Sequence, residues 1–175
     1  MEAALAAGVA IYNAGRYHAA HDAWEDHWLE LESGTDDERF LHGLIQFTAA
    51  VYHARHRNWS GATGLAGSAG DYLAGLPPQF HGVNLGTVRS WLAELAADPA
   101  LIERRSPPAL TIDGVPLTPA ALDLEATCRA AAVVAEADGY DEAILEDAGR
   151  YARADVAADV ASSAVVSLLF DFVRE

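Results

Sequence analysis

Residues 40–57 read FLHGLIQFTAAVYHARHR, and this stretch decides the fold. Phe40, Leu44, Phe47 and Val51 fall on one arc of a helix, and Leu41, Ile45 and Tyr52 fall on another. A helix that is apolar on nearly every side predicts a central position, with other helices packed around it. Across that background His42, Gln46, Ala49, His53 and His56 recur at helical spacing and form one narrow stripe. A polar stripe on a central helix has to be paired, hydrated or functional.

The chain on either side reads as further helices. Thr35-Asp36-Asp37-Glu38 is a capping-box pattern that starts the third helix at about Asp37. Ser33-Gly34 ends a second helix running from about Tyr17 to Glu32, and Asn13-Ala14-Gly15 stops a first one rich in Ala and aliphatics. A fourth opens near Asn58 or Ser60 and is stopped by Pro77-Pro78. Gly61, Gly64, Gly67 and Gly70 drift around its surface, permitting either close approach of a neighbour or a looser segment. A short helix from about Thr87 to Ala97 follows, and Leu110 to Leu117 alternates around Asp113-Gly114 as an edge hairpin. Thr118 to Glu175 reads as two or three helices broken at Asp138-Gly139. The expected fold class is all-α, a compact array of antiparallel helix hairpins with one small β-hairpin near 110–117, in a single domain spanning 1–175.

Composition bounds the partners. With 175 residues and 51% hydrophobic content, the chain can bury a core. It carries 26 acidic residues against 11 basic ones, all Arg, for a net charge of -15. That charge repels phosphate backbones and anionic bilayers, so neither nucleic acid nor membrane is an expected partner. An acidic, Lys-free, Ala-rich chain suits a halophile's salt-rich cytoplasm, where the Debye length falls to about 3 Å at 1 M. Cys128 is alone, which excludes an intrachain disulfide and a Cys-based zinc site, and its Ala neighbours mark it as a small core residue. Met1-Glu2-Ala3 has no basic leader region, and Val160 to Phe170 is short of the roughly 20 residues a membrane span needs. The expected location is cytoplasmic.

The residues able to carry chemistry concentrate on the second and third helices. His21 and Glu25 are spaced i, i+4 beside Trp24 and Trp28. The pair reads as a half-buried His held by Glu, as a general base with its orienter, or as two metal ligands. Asp22, Asp26 and Glu30 read as a solvated face. A short connection makes the two helices antiparallel neighbours, which sets His21 and Glu25 against Gln46 and His53. Two His and one carboxylate would form a facial metal triad, but the paired Glu-x-x-His motifs of di-metal bundles are missing, and no metal or cofactor is assigned. No nucleophile-elbow context surrounds Ser33, Ser60 or Ser68.

Between Arg39 and Gly70 there is no Asp or Glu, although the stretch holds Arg39, Arg55 and Arg57. The stretch is therefore either buried, which explains its apolar residues, or kept locally cationic for an anionic ligand or a protein partner near Arg55-His56-Arg57. The acidic run from Glu136 to Asp147 lacks EF-hand spacing and reads as solvated surface. The function favoured is a binding or scaffolding module. Its groove would run between helices two and three, with Trp24 and Trp28 as walls, His21 and Glu25 as a polar handle, and Arg55 or Arg57 as anion contact. The alternatives are a small-molecule hydrolase in which Glu25 orients His21, and a structural polar network that fixes helix register.

Tyr12-Asn13-Ala14-Gly15-Arg16-Tyr17, His21-x-x-Trp24-Glu25-x-x-Trp28, Phe40-Leu41-His42-Gly43-Leu44-Ile45-Gln46, Tyr52-His53 and Arg57-Asn58 with Gly61-Ala62 occur in this order. In that order they resemble the domain-of-unknown-function family numbered 309, over about residues 8–76. The resemblance implies a small all-helical array and singles out His21, Trp24, Glu25, Trp28, Gln46 and His53. His42 stands where the family usually has Gln. Residues 77–119, read as short helix and hairpin, and 120–175, read as C-terminal helices, lie outside it. No activity is implied, since a shared fold does not carry one.

Overall fold

The computed structural model describes residues 1–174. The elements in chain order are α1 (Glu2–Asn13), α2 (Tyr17–Leu29), α3 (Asp36–Arg55), α4 (Trp59–Leu73), α5 (Leu85–Ala97), β1 (Thr111–Ile112), β2 (Val115–Pro116), α6 (Leu124–Ala137), α7 (Glu142–Ala157) and α8 (Ala164–Arg174). Short 3-10 turns at Pro99–Glu103 and Pro119–Ala121 complete the path. The fold is all-α, as its patterning predicts, with one two-stranded antiparallel hairpin turned by Asp113-Gly114.

The first five helices pack each against the next, and α6 then returns to cover α1 and α2, with α7 and α8 on its outer side. As its pattern predicts, α3 is central. Phe40, Leu41, Leu44, Phe47, Ala50, Val51 and Ala54 have no exposed surface. Gly43 lets α4 lie close, because a Cβ there would stand 2.5 Å from the Leu73 side chain. In the four-glycine series of α4, Gly61 makes room only for the capping Asn58 side chain, 2.8 Å from a Cβ there, and the other three do no such work. A Cβ on Gly64, Gly67 or Gly70 would meet nothing within 4 Å.

Three local devices fix the frame. Thr35 caps α3 by accepting the Glu38 N–H at 3.2 Å, but the return half of the capping box is missing. The Glu38 carboxylate instead takes the Trp28 indole N–H at 2.9 Å and the Gly34 N–H at 3.3 Å. Asn13 does more than end α1. Its amide donates to Leu110 O at 2.8 Å and Leu117 O at 2.7 Å and accepts the Leu110 N–H at 2.9 Å, tying the hairpin segment to the first helix. Cys128 is buried on α6 where α7 crosses, and a Cβ on Gly149 would stand 3.2 Å from its sulfur. Burial pushes the thiol's pKa above the ordinary value. No helix among the described residues is long and apolar enough to cross a membrane.

Candidate functional site

On α2 the pair read from spacing is present but loose. His21 Nε2 lies 3.7 Å from Glu25 Oε1, and His21 Nδ1 lies 3.8 Å from Asp22 Oδ1. Both distances exceed hydrogen-bond length. One ligand atom from each of His21, Asp22 and Glu25 can be chosen so that all three lie within 4.8 Å of one another. The side chains are 29%, 28% and 46% exposed, so solvent reaches all three. Asp22, expected on a solvated face, is the third member because its side chain curls back along the helix. Its other oxygen meets His18 Nδ1 at 3.1 Å, which anchors it. Asp26 and Glu30 do stay largely in solvent.

Asp22 and Glu25 line a cavity of about 550 Å³ between α2, α6 and α7. Glu136, Glu142 and Glu146 of the acidic run line it too, alongside Arg129, Arg150 and Arg153. The Glu142 carboxyl titrates above its ordinary value, chiefly because Glu136 repels its charge, with desolvation and Glu146 adding to the shift.

The remaining expected site residues do not converge on this handle. Trp24, expected as a groove wall, is fully buried in the core, and its indole N–H is 3.4 Å from Leu5 O. The helical wheel gives the direction of a side chain but not its depth. Trp28 is half-buried near the end of α2, bonded to Glu38 and 4.5 Å from the His42 ring. Gln46 is half-buried and makes no side-chain hydrogen bond among the described residues. His53, expected opposite His21, takes a bond from Asn58 Nδ2 at 2.8 Å on its Nδ1. Arg57 sits just past the end of α3 at φ 57° and pairs with Glu103 at 2.8 Å. No groove therefore gathers all seven.

Sequence reading missed a second cluster. Glu38 Oε1 is 3.3 Å from His42 Nδ1, and the His42 ring stacks on Tyr72 with centroids 3.8 Å apart. Its signal in the sequence is the i, i+4 spacing of Glu38 and His42, which the capping-box pattern at Glu38 masks. The Trp28 N–H holds the Glu38 carboxyl below its ordinary value, against burial that raises it, while the Gly34 N–H and His42 reinforce the lowering. His27 is also pushed below its ordinary value, mainly by burial, with the amino-terminal charge and Arg129 adding. Its Nε2 is sealed without a partner among the described residues.

Both shifts make stability fall on acidification. The unfolded chain binds a proton at either group more readily than the folded one does. The His27 contribution is complete above about pH 6.5 and is lost as pH falls toward its lower folded value. The Glu38 contribution persists to more acid pH and is lost as pH falls through its own depressed value. Urea midpoints between pH 7.5 and 3 are expected to drop in these two stages, with Glu38→Gln flattening only the lower one. A midpoint flat from pH 7.5 to 5 would contradict the His27 assignment, and an acid-side drop unchanged by Glu38→Gln would contradict that of Glu38.

Residues 5–65 match the family model described as Domain of unknown function (DUF309). The DUF309 match covers α1, α2, α3 and the first part of α4, close to the resemblance read from the motifs, and so takes in His21, Asp22 and Glu25. An uncharacterized protein of Aquifex aeolicus (strain VF5) is 27% identical over 84 residues, 48% of this chain and 25% of that protein. The chain thus spans about a quarter of the length of this curated relative.

Proposed function

We propose that the chain is a binding module whose polar handle on α2 takes a divalent cation through His21, Asp22 and Glu25. The observation that carries this reading is the clustering of one imidazole and two carboxylates within 4.8 Å, the two carboxylates also lining an open cavity. Nitrogen and oxygen ligands in this mixture suit Mn²⁺, Fe²⁺ or Zn²⁺. His18, bonded to the outer oxygen of Asp22, is the kind of second partner that orients a ligating carboxylate. The surplus of negative charge around Glu136, Glu142 and Glu146 supports the same sign of guest.

The competing readings fit less well. A structural network would hold His21 in hydrogen bonds, and its two carboxylate contacts are too long for that. A hydrolase would need Glu25 to orient the His21 ring, and 3.7 Å with an exposed carboxylate gives little orientation.

Titration of the chelator-stripped full chain with Mn²⁺ and Zn²⁺, followed by calorimetry, tests the proposal. Saturable one-to-one binding is expected. His21→Ala and Glu25→Gln should each weaken it at least tenfold, with melting temperature within a few degrees of the parent. Absence of saturable binding, or affinities unchanged in both variants, would overturn the reading.

A further inference from the structure

In a chain of net charge -15, a cation without an acid is the exception. Nine of the eleven arginines have a carboxylate within 4.0 Å. A tenth, Arg89, donates to the carbonyls of Leu73 and Leu76 at 2.9 and 2.6 Å, which closes the end of α4. The eleventh is Arg55. Five of the seven histidines also have a carboxylate within that distance, and the two that do not are His53 and His56. Among the described residues, every Arg or His that has neither an acid nor a pair of carbonyls therefore lies in the last turn of α3 or just past it. Basic residues at a helix C-terminus complement its dipole, which explains their presence there. It does not explain why a chain with 26 acidic residues sets none beside them.

Arg55 and His56 border a cavity of about 300 Å³ between the end of α3 and the start of α2, together with Tyr17, His18 and Tyr52. Arg55 Nη1 donates to the Tyr17 hydroxyl at 3.1 Å, and its guanidinium carbon lies 5.4 Å from the Tyr17 ring centroid. These contacts position the guanidinium without neutralising it, and they leave the phenol proton free to donate. His56 sits 4.2 Å from the Tyr52 ring, and its Nδ1 is 2.8 Å from Tyr52 O, so the imidazole is oriented as well. Asp138 is paired with Arg16 at 2.5 Å, and Asp22 with His18. The first turn of α2, on the same wall, carries no acidic residue and no capping side chain.

We propose that this cavity binds a small phosphomonoester. Phosphate oxygens can take the free N–H groups of the Arg55 guanidinium and the Tyr17 hydroxyl proton together, and a dianion sets twice the charge of a carboxylate against this unpaired cation. The volume lies at the small end for ligand pockets, which favours a phosphate on a short carbon chain over a nucleotide. This site is independent of the cation reading, and either one can fail without the other.

The test is calorimetric titration of the full chain at low ionic strength with glycerol phosphate, inorganic phosphate and acetate. Saturable binding of both phosphates is expected, with acetate at least tenfold weaker. Arg55→Gln should weaken phosphate binding at least tenfold, and Tyr17→Phe a few-fold. Arg104→Gln, an exposed acid-paired arginine elsewhere, should leave it unchanged. Thermal melts of each variant keep folding separate from binding, and Arg55→Lys supplies a second variant that retains the charge but loses the fork. No saturable phosphate binding, or equal affinity in Arg55→Gln and the parent, would overturn the site. Acetate binding as tightly as phosphate would overturn the phosphomonoester assignment.

Discussion

Trp24→Ala is expected to lower folding stability by about 4 kcal/mol, within the range for deleting a buried tryptophan. The indole has no exposed surface and lies across α1 where Gly8 leaves room for it. A Cβ on Gly8 would stand 2.1 Å from Nε1, so ring and glycine are fitted to each other and the ring has no slack. Truncation removes the transfer free energy of the ring and leaves a void that rigid neighbours fill only in part. Because domains are stable by only about 5–15 kcal/mol, the change should be plain in urea unfolding followed by far-UV circular dichroism. The outcome also separates two roles. A tryptophan that walled a groove would lose ligand affinity at near-normal stability. A loss below about 1.5 kcal/mol would mean that α1 and α2 close over the void.

Asn13→Ala should cost about 3 kcal/mol through a different mechanism. A single amide satisfies the N–H of Leu110 and the carbonyls of Leu110 and Leu117. Each stranded buried polar group costs about 1–3 kcal/mol. The half-buried setting of Asn13 lets water recover part of the sum. Asn13→Asp is expected to fare no better, because it keeps the acceptor for Leu110 N–H but sets a carboxylate oxygen against two carbonyls. Limited proteolysis localises the effect. Cleavage within residues 106–119 should accelerate far more than cleavage in α3. Uniform acceleration would show that the amide supports the fold as a whole and not this attachment.

What was legible in the sequence follows from range. The burial of α3 could be read because its apolar residues leave no face for solvent, and the Thr35 cap and the Asp113-Gly114 turn could be read because their partners lie within a few residues. The His21 and Glu25 pair was legible for the same reason. Asp22 was not, because an ideal wheel points residue i+1 about 100° away and says nothing of rotamers. His53 was misplaced because its partner is Asn58, beyond a left-handed Arg57, so the pairing depends on where the helix stops. Asn13 was read only as a stop signal, since its partners lie about a hundred residues away. The unpaired cations became visible only once every ion pair had a position. The acid-free stretch hinted at them but could not separate Arg55 from Arg57, which Glu103 neutralises.

The packing of Cys128 against Gly149 has a practical consequence for measuring these sites. The chain's one native thiol is only 5% exposed where it meets the larger cavity, and burial raises its pKa, so a dye or spin label offered to the folded protein should react with it slowly. A cysteine introduced on an exposed face of α3 or α7 would then be the faster point of attachment. Probe pairs reporting distances across the smaller cavity, which Cys128 does not line, can accordingly be built on the native background.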